Sequence, residues 1–232
     1  MLRELMRIFR SDDPLGSMED RFAKMLRLTN EMTVEAGEMF FGQGATPEER
    51  TALYDQDVQV NKLERSIRKR VVAHLSLQAN RGDLSYCLFL IGLVKDVERI
   101  GDYAKNLSEV RDIFGGPLPE DPMVSELAEL RLGVEGIFRS TLEILTTDDR
   151  EQAITNINVG RNLATRSDAL IGRIAQSDYS AGVVTALVLA TRYYKRIGGH
   201  VINVLSSVIM PIHKVDFFDE TEIDRPAADA RS

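Results

Sequence analysis

Asp57, Asn61 and Glu64 stand at i, i+4 and i+7, and Glu98 and Asp102 stand at i and i+4. If both stretches are helical, each set projects from a single helix face. Two such helices running antiparallel side by side would bring five oxygen-bearing side chains toward one another. Hard divalent cations prefer oxygen donors, and helical bundles build metal sites from carboxylates on facing helices. A bound cation would also relieve the mutual repulsion of such a cluster. The same spacing equally describes a solvated acidic face, with Glu98 paired to Arg99 or Lys105.

Other chemistries lack their residues. There is no Glu-x-x-His pair for a di-iron oxidase arrangement, and His74 lies about three helical turns beyond Glu64. The single cysteine, Cys87, excludes an intrachain disulfide and leaves a thiolate zinc site without its ligands, and no Cys and His are paired for nucleophilic work. It falls in an apolar run, as a buried structural thiol does, and suits a reducing, cytoplasmic setting. No Gly-rich phosphate loop or Gly-x-Ser-x-Gly elbow is present, and no general base stands near the acidic residues. No residue is therefore assigned a catalytic role. A net charge of −7 over 232 residues argues against nucleic acid as a partner. The N-terminal residues lack the apolar core of a signal peptide. The most apolar stretches, Leu84–Val94 and Ala181–Ala190, are about half the ~20 residues needed to span a bilayer.

The elements that must position the acidic residues follow from the prolines and caps. All seven prolines fall between apolar-periodic stretches, as a helical protein requires. Ser17 with Asp20, Thr46-Pro47 with Glu49, Asp121-Pro122, and Asp148 with Glu151 resemble helix N-caps. Gly82-Asp83 reads as the end of one helix and the cap of the next. Six helices result, over roughly 17–43, 47–79, 83–114, 122–146, 148–176 and 180–209, with no strand signal.

The chain also repeats itself. Val97-Glu98-Arg99-Ile100-Gly101-Asp102-Tyr103 returns as Tyr194-Lys195-Arg196-Ile197-Gly198-Gly199-His200, 97 residues on. The expected fold is all-α: two tandem antiparallel three-helix bundles over 17–114 and 122–210, joined by a linker at 115–121. The apolar third helix of each bundle takes its centre. Gly101 and Gly198 are expected where helices approach closely. The second copy has Lys195 and Gly199 where the first has Glu98 and Asp102, and its preceding helix offers only Asp168 amid Arg161, Arg166 and Arg173. Cation binding is therefore expected in the first bundle only. Residues 1–16 read as a basic amphipathic segment suited to a membrane surface, to a partner groove or to packing on the bundle itself, and 211–232 as an acidic tail.

Asp57-x-x-x-Asn61-x-Leu63-Glu64-x-x-Ile67, then Asp83-Leu84, then Asp96-Val97-Glu98-Arg99-Ile100-Gly101-Asp102-Tyr103-Ala104-x-Asn106 resembles the PhoU family of bacterial phosphate-signalling proteins. The resemblance is strong over 50–110 and weaker over 148–209, where Arg196-Ile197-Gly198 and Asn203 keep the frame. It implies two similar three-helix bundles and a non-enzymatic cytoplasmic adaptor. Such an adaptor acts between a phosphate transporter, an ATPase or a carrier, and a sensor histidine kinase, and keeps the starvation response off. It further implies metal ions, as iron, zinc, magnesium or manganese, at acidic motifs matched here by Glu98 and Asp102 and by Asp57, Asn61 and Glu64. A homodimer and membrane association through partners belong to the same expectation. The asymmetry of the bundles leaves two alternatives: an accessory regulator of a sodium- or proton-coupled phosphate carrier, or a structural bundle without metal.

Overall fold

The computed structural model describes residues 14–113 and 115–210, and the basic segment and the acidic tail expected at the ends lie almost wholly outside them. Six helices account for nearly all of it: α1 Pro14–Phe41, α2 Pro47–Leu75, α3 Leu84–Glu109, α4 Pro122–Thr147, α5 Arg150–Ala175 and α6 Ala181–Ile209. Short 3-10 turns at Gln78–Asp83 and Val110–Ile113 flank α3, and the described residues contain no strand.

Local chemistry sets most of the boundaries. Thr46 and Glu49 form a reciprocal capping box, the Glu49 amide donating to Thr46 Oγ1 at 3.1 Å and the Thr46 amide to Glu49 at 2.8 Å. The Asp121 carboxylate accepts from the Met123 and Val124 amides ahead of α4. Several expected boundaries move, the end of the third helix among them, from 114 back to Glu109. Pro14 opens α1 three residues before Ser17, whose hydroxyl instead accepts from Arg21 Nη1 at 2.6 Å. Asp149, not Asp148, caps α5 through the Gln152 amide, because Asp148 closes α4 in a left-handed conformation at φ 54°. The second helix stops at Leu75 rather than at residue 79. Beyond it, Asp83 makes no cap bond: its carboxylate accepts from His74 Nε2 at 2.8 Å while Asn80 donates to Nδ1. That polar knot holds Gln78–Asp83 as a tight turn.

Apolar stripes hold the helices together. On α3, Cys87, Leu90, Val94, Val97, Ile100, Ala104 and Leu107 are buried at helical spacing. On α6, Ala186, Leu187, Ala190, Tyr194, Ile197, Val201, Leu205 and Val208 repeat that pattern. Each large apolar side chain so buried stabilises by about 1.5–3 kcal/mol. Cys87 behaves as expected of a structural thiol: burial, with a smaller push from Asp83, raises it above the ordinary cysteine range.

Within each repeat all three helices touch one another, and the repeats meet through α3 against α6 and α1 against α4. The α2 and α5 helices make their main contacts within their own repeats. At the central contact, Asp96 accepts from His200 Nδ1 at 2.7 Å and from Asn203 Nδ2 at 3.0 Å. The 97-residue offset maps Asp96 onto Tyr193 and Tyr103 onto His200. The equivalent contact, Tyr193 with Tyr103, is present at a ring-centroid distance of 6.0 Å. Repeat-related positions thus meet repeat-related positions, once as a polar pair and once as an aromatic one. The recurring glycines matter less than expected, since a Cβ on Gly101 or Gly198 would stand 3.4 Å from its nearest neighbour, the edge of ordinary contact. Gly160 is more demanding than either, since a Cβ there would meet Ile202 Cδ1 at 2.4 Å.

Candidate functional site

The α2–α3 seam is the place where the structure gathers the acidic residues. Asp57 is buried, one turn before Asn61, whose amide donates to Asp57 Oδ2 at 3.3 Å. Lys105 reaches across from α3 and donates to the same Asp57 oxygen at 3.0 Å. Its ammonium lies 3.5 Å from Asp102 Oδ1. Arg99 holds the other Asp102 oxygen at 3.1 Å and approaches Glu98 at 3.6 Å. Arg68 pairs with Glu64 at 2.7 Å along α2. Of the five residues expected on this seam, Asp57, Asn61 and Asp102 are tied together through direct bonds and the shared ammonium. Glu64 and Glu98 stand nearby, each with an arginine of its own helix.

The electrostatics show that the cluster is coupled. Burial pushes the Glu98 carboxyl above the ordinary glutamate range, and the charges of Asp102, Glu64 and Asp57 push it further, with Arg99 opposing them. Burial alone would lower the Lys105 ammonium. The Asp57 hydrogen bond and the charges of Asp57 and Asp102 outweigh it and hold Lys105 above the ordinary lysine range. Asp57, Glu64, Glu98 and Asp102 contribute four negative charges, and Lys105, Arg68 and Arg99 return three positive ones.

This arrangement bears directly on a metal ion. Among the described residues, no three His, Cys, Asp or Glu side chains are disposed to hold one ion. The ammonium of Lys105 occupies the space between the two carboxylates that approach each other across the helices, so the residues as folded do not fit a bound metal. Lys105 is the member that the acidic pattern alone passes over. Its spacing is a usable signal, since 98, 102 and 105 are i, i+4 and i+7 and share one face.

The second repeat lacks the cluster. The 97-residue offset maps Glu98, Asp102 and Lys105 onto Lys195, Gly199 and Ile202. On α2 and α5, buried Leu53, Asp57, Val60, Ile67 and Val71 align with buried Asn156, Gly160, Leu163, Leu170 and Ile174. Asp57, Asn61 and Glu64 then correspond to Gly160, Ala164 and Ser167. Near the positions of the missing acidic residues, Lys195 crosses the α5–α6 seam to Asp168, both carboxylate oxygens at 2.6 Å from Nζ. This is the asymmetry expected from the repeat, with an exposed ion pair in place of an acidic cluster.

The His200 region was not expected to join the repeats. Its ring stacks on Tyr103 at 5.7 Å and 22° while Nδ1 serves Asp96. No helix among the described residues is long and apolar enough to cross a membrane.

Comparison with known proteins places this geometry. The family model described as the PhoU domain matches residues 22–110, which spans α1 to α3 and the whole acidic seam. A phosphate-specific transport system accessory protein PhoU homolog from Synechocystis is 27% identical over 154 residues, 65% of this chain and 68% of that protein. The crystal structure of PhoU from Pseudomonas aeruginosa superposes with a TM-score of 0.76 at 18% identity, covering 86% of this chain and 97% of that one. The phosphate transport system regulatory protein PhoU from Streptococcus pneumoniae gives a TM-score of 0.71 at 16% identity, covering 84% and 92%. These two structural matches cover both repeats, and the domain match falls on the repeat that carries the motif. The first repeat thus matches the PhoU domain, and the described body has the fold of the two PhoU crystal structures.

Proposed function

We propose that this protein regulates phosphate uptake and phosphate-starvation signalling, as a non-enzymatic cytoplasmic adaptor between a phosphate transporter and a sensor histidine kinase. The observation that carries this reading is the PhoU-domain match over 22–110, on the same helices that hold the Asp57–Asp102 seam. The Synechocystis relative and the Streptococcus pneumoniae protein are both named for phosphate transport systems, which supports the same assignment. The site chemistry agrees with a binding role. Its carboxylates are paired with cations, and no nucleophile with an adjacent base stands among them. Assembly as a homodimer belongs to the same proposal.

The test is a phosphate-starvation reporter in phosphate-replete cells lacking the protein. Restoring the wild-type chain is expected to silence the reporter. Restoring Glu98→Ala/Asp102→Ala at matched abundance is expected to leave it on if the seam takes part in signalling. A reporter that stays silent without the protein would overturn the assignment.

A further inference from the structure

The cation position of the acidic seam is filled by the chain itself. Lys105 Nζ stands 3.0 Å from Asp57 Oδ2 on α2 and 3.5 Å from Asp102 Oδ1 on its own helix. Its side chain is only 22% exposed and that of Asp57 only 11%, so the pair is shielded on both sides. The remaining carboxylates are held by guanidinium groups, Glu64 by Arg68 and Glu98 by Arg99. From these contacts we infer that Lys105 is a resident tethered cation: it replaces a metal ion in the α2–α3 seam, and removing it uncovers a divalent-cation site.

The second repeat supplies independent support. There the counterparts of Asp57 and Lys105 are Gly160 and Ile202, in contact with each other, and the counterparts of Glu98 and Asp102 are Lys195 and Gly199. The lysine and its carboxylates are absent together. A solvated lysine that met Asp57 by chance would have no reason to be exchanged with it. An ammonium that completes the carboxylate cluster does, because either partner alone would leave a shielded charge uncompensated.

A divalent ion cannot enter while the ammonium is in place. The two would lie within about 4 Å of each other, where like charges repel strongly even at the effective dielectric of a protein surface. With Lys105 removed, Asp57 Oδ2 and Asp102 Oδ1 lose the ammonium they share and leave uncompensated carboxylate oxygens from two helices, the donor type that hard cations take. The consequence for the protein is an α2–α3 seam whose integrity does not depend on metal supply. This inference stands apart from the phosphate-signalling assignment, because its test is binding by the purified protein.

The experiment is a titration of the purified full chain with Mn(II) alone, read by EPR of the free ion, with melting curves taken with and without EDTA. For the wild type we expect a Kd weaker than about 1 mM and a melting temperature that neither EDTA nor Mn(II) moves. Lys105→Met is expected to melt lower and to bind Mn(II) at least about tenfold more tightly. Adding Asp57→Asn to that variant should abolish the gain. A wild type that binds about one Mn(II) per chain at this seam, with binding lost in Asp57→Asn, would overturn the inference. So would a folded Lys105→Met that binds no tighter than the wild type. Should Lys105→Met fail to fold, the wild-type titration alone decides.

Discussion

The α2–α3 and α5–α6 seams of this molecule occupy equivalent places and are held by opposite means. Between α2 and α3, Asp57 meets Lys105 as a shielded pair within a cluster of four carboxylates, two arginines and an amide. Between α5 and α6, the equivalent pair is Gly160 and Ile202, and Ile202 lies so close over the glycine that a Cβ there would meet its Cδ1 at 2.4 Å. An ion pair that crosses that second seam, Lys195 with Asp168, stands at its edge, where the Asp168 side chain is 58% exposed. One repeat has spent its seam on a polar cluster, and the other has closed it by apolar contact. Apolar closure is commonly as stable as a buried ion pair or more so. The polar version is therefore not one that stability alone would require.

The comparison breaks most visibly if the charge is moved without its partner. Ile202→Lys should cost about 3 kcal/mol or more in urea denaturation, because a nearly inaccessible position would receive an ammonium with no carboxylate beside it. Adding Gly160→Asp should recover at least about 1 kcal/mol, as a double-mutant cycle would show. The glycine leaves room for a side chain only once the isoleucine is gone, so Gly160→Asp alone should also destabilise. A cycle with no coupling would mean that the helices of the second seam lie in a different register from those of the first.

A smaller effect separates the seams by exposure. Asp57→Ala should cost about 1–2 kcal/mol, since Lys105 would keep only the longer contact to Asp102. Asp168→Ala should cost at most about 0.5 kcal/mol, because an exposed pair is weak and screened. Chemical denaturation at low and at 0.5 M salt checks both, and only the Asp168 effect should vanish at the higher salt. Equal losses at the two positions would remove the distinction between a shielded pair and a surface pair.

How much of this was legible beforehand depends on how local each cause is. The capping box at Thr46 and the cap at Asp121 act within three residues, so sequence shows them. The true start of α1 was hidden because Ser17 looks like a cap until Arg21 takes its hydroxyl. The end of α2 was misplaced because Asp83, a plausible cap, is drawn instead to His74 nine residues earlier. At the site, helical spacing put Asp57 and Asn61 on one face and Glu98 and Asp102 on another, and the structure brings those faces together. What spacing could not decide was whether Lys105 would turn toward solvent or into the cluster. That depends on the distance between two helices, which only packing sets. The Asp96–His200 bond joins residues 104 positions apart on different repeats, and nothing in either local pattern announces it.

The finest contrast lies at the position that reads Glu98 in one repeat and Lys195 in the other. Burial, then the neighbouring charges of Asp102, Glu64 and Asp57, raise the Glu98 carboxyl above its ordinary range. A carboxyl raised in this way binds its proton more tightly in the folded chain than in the unfolded one. Stability therefore falls as pH climbs from the ordinary glutamate range through the raised one, and above that the cost of the charge is constant. Glu98→Gln, which keeps the shape and removes the charge, should raise the melting temperature at pH 7. As pH drops to about 4 and below, where the wild-type group is protonated in both states, the gain should shrink toward zero. Melting curves of both proteins across pH 4 to 8 measure the difference. A gain that grew toward acid would mean that Glu98 is stabilised as an anion, with Arg99 outweighing burial and the three carboxylates around it.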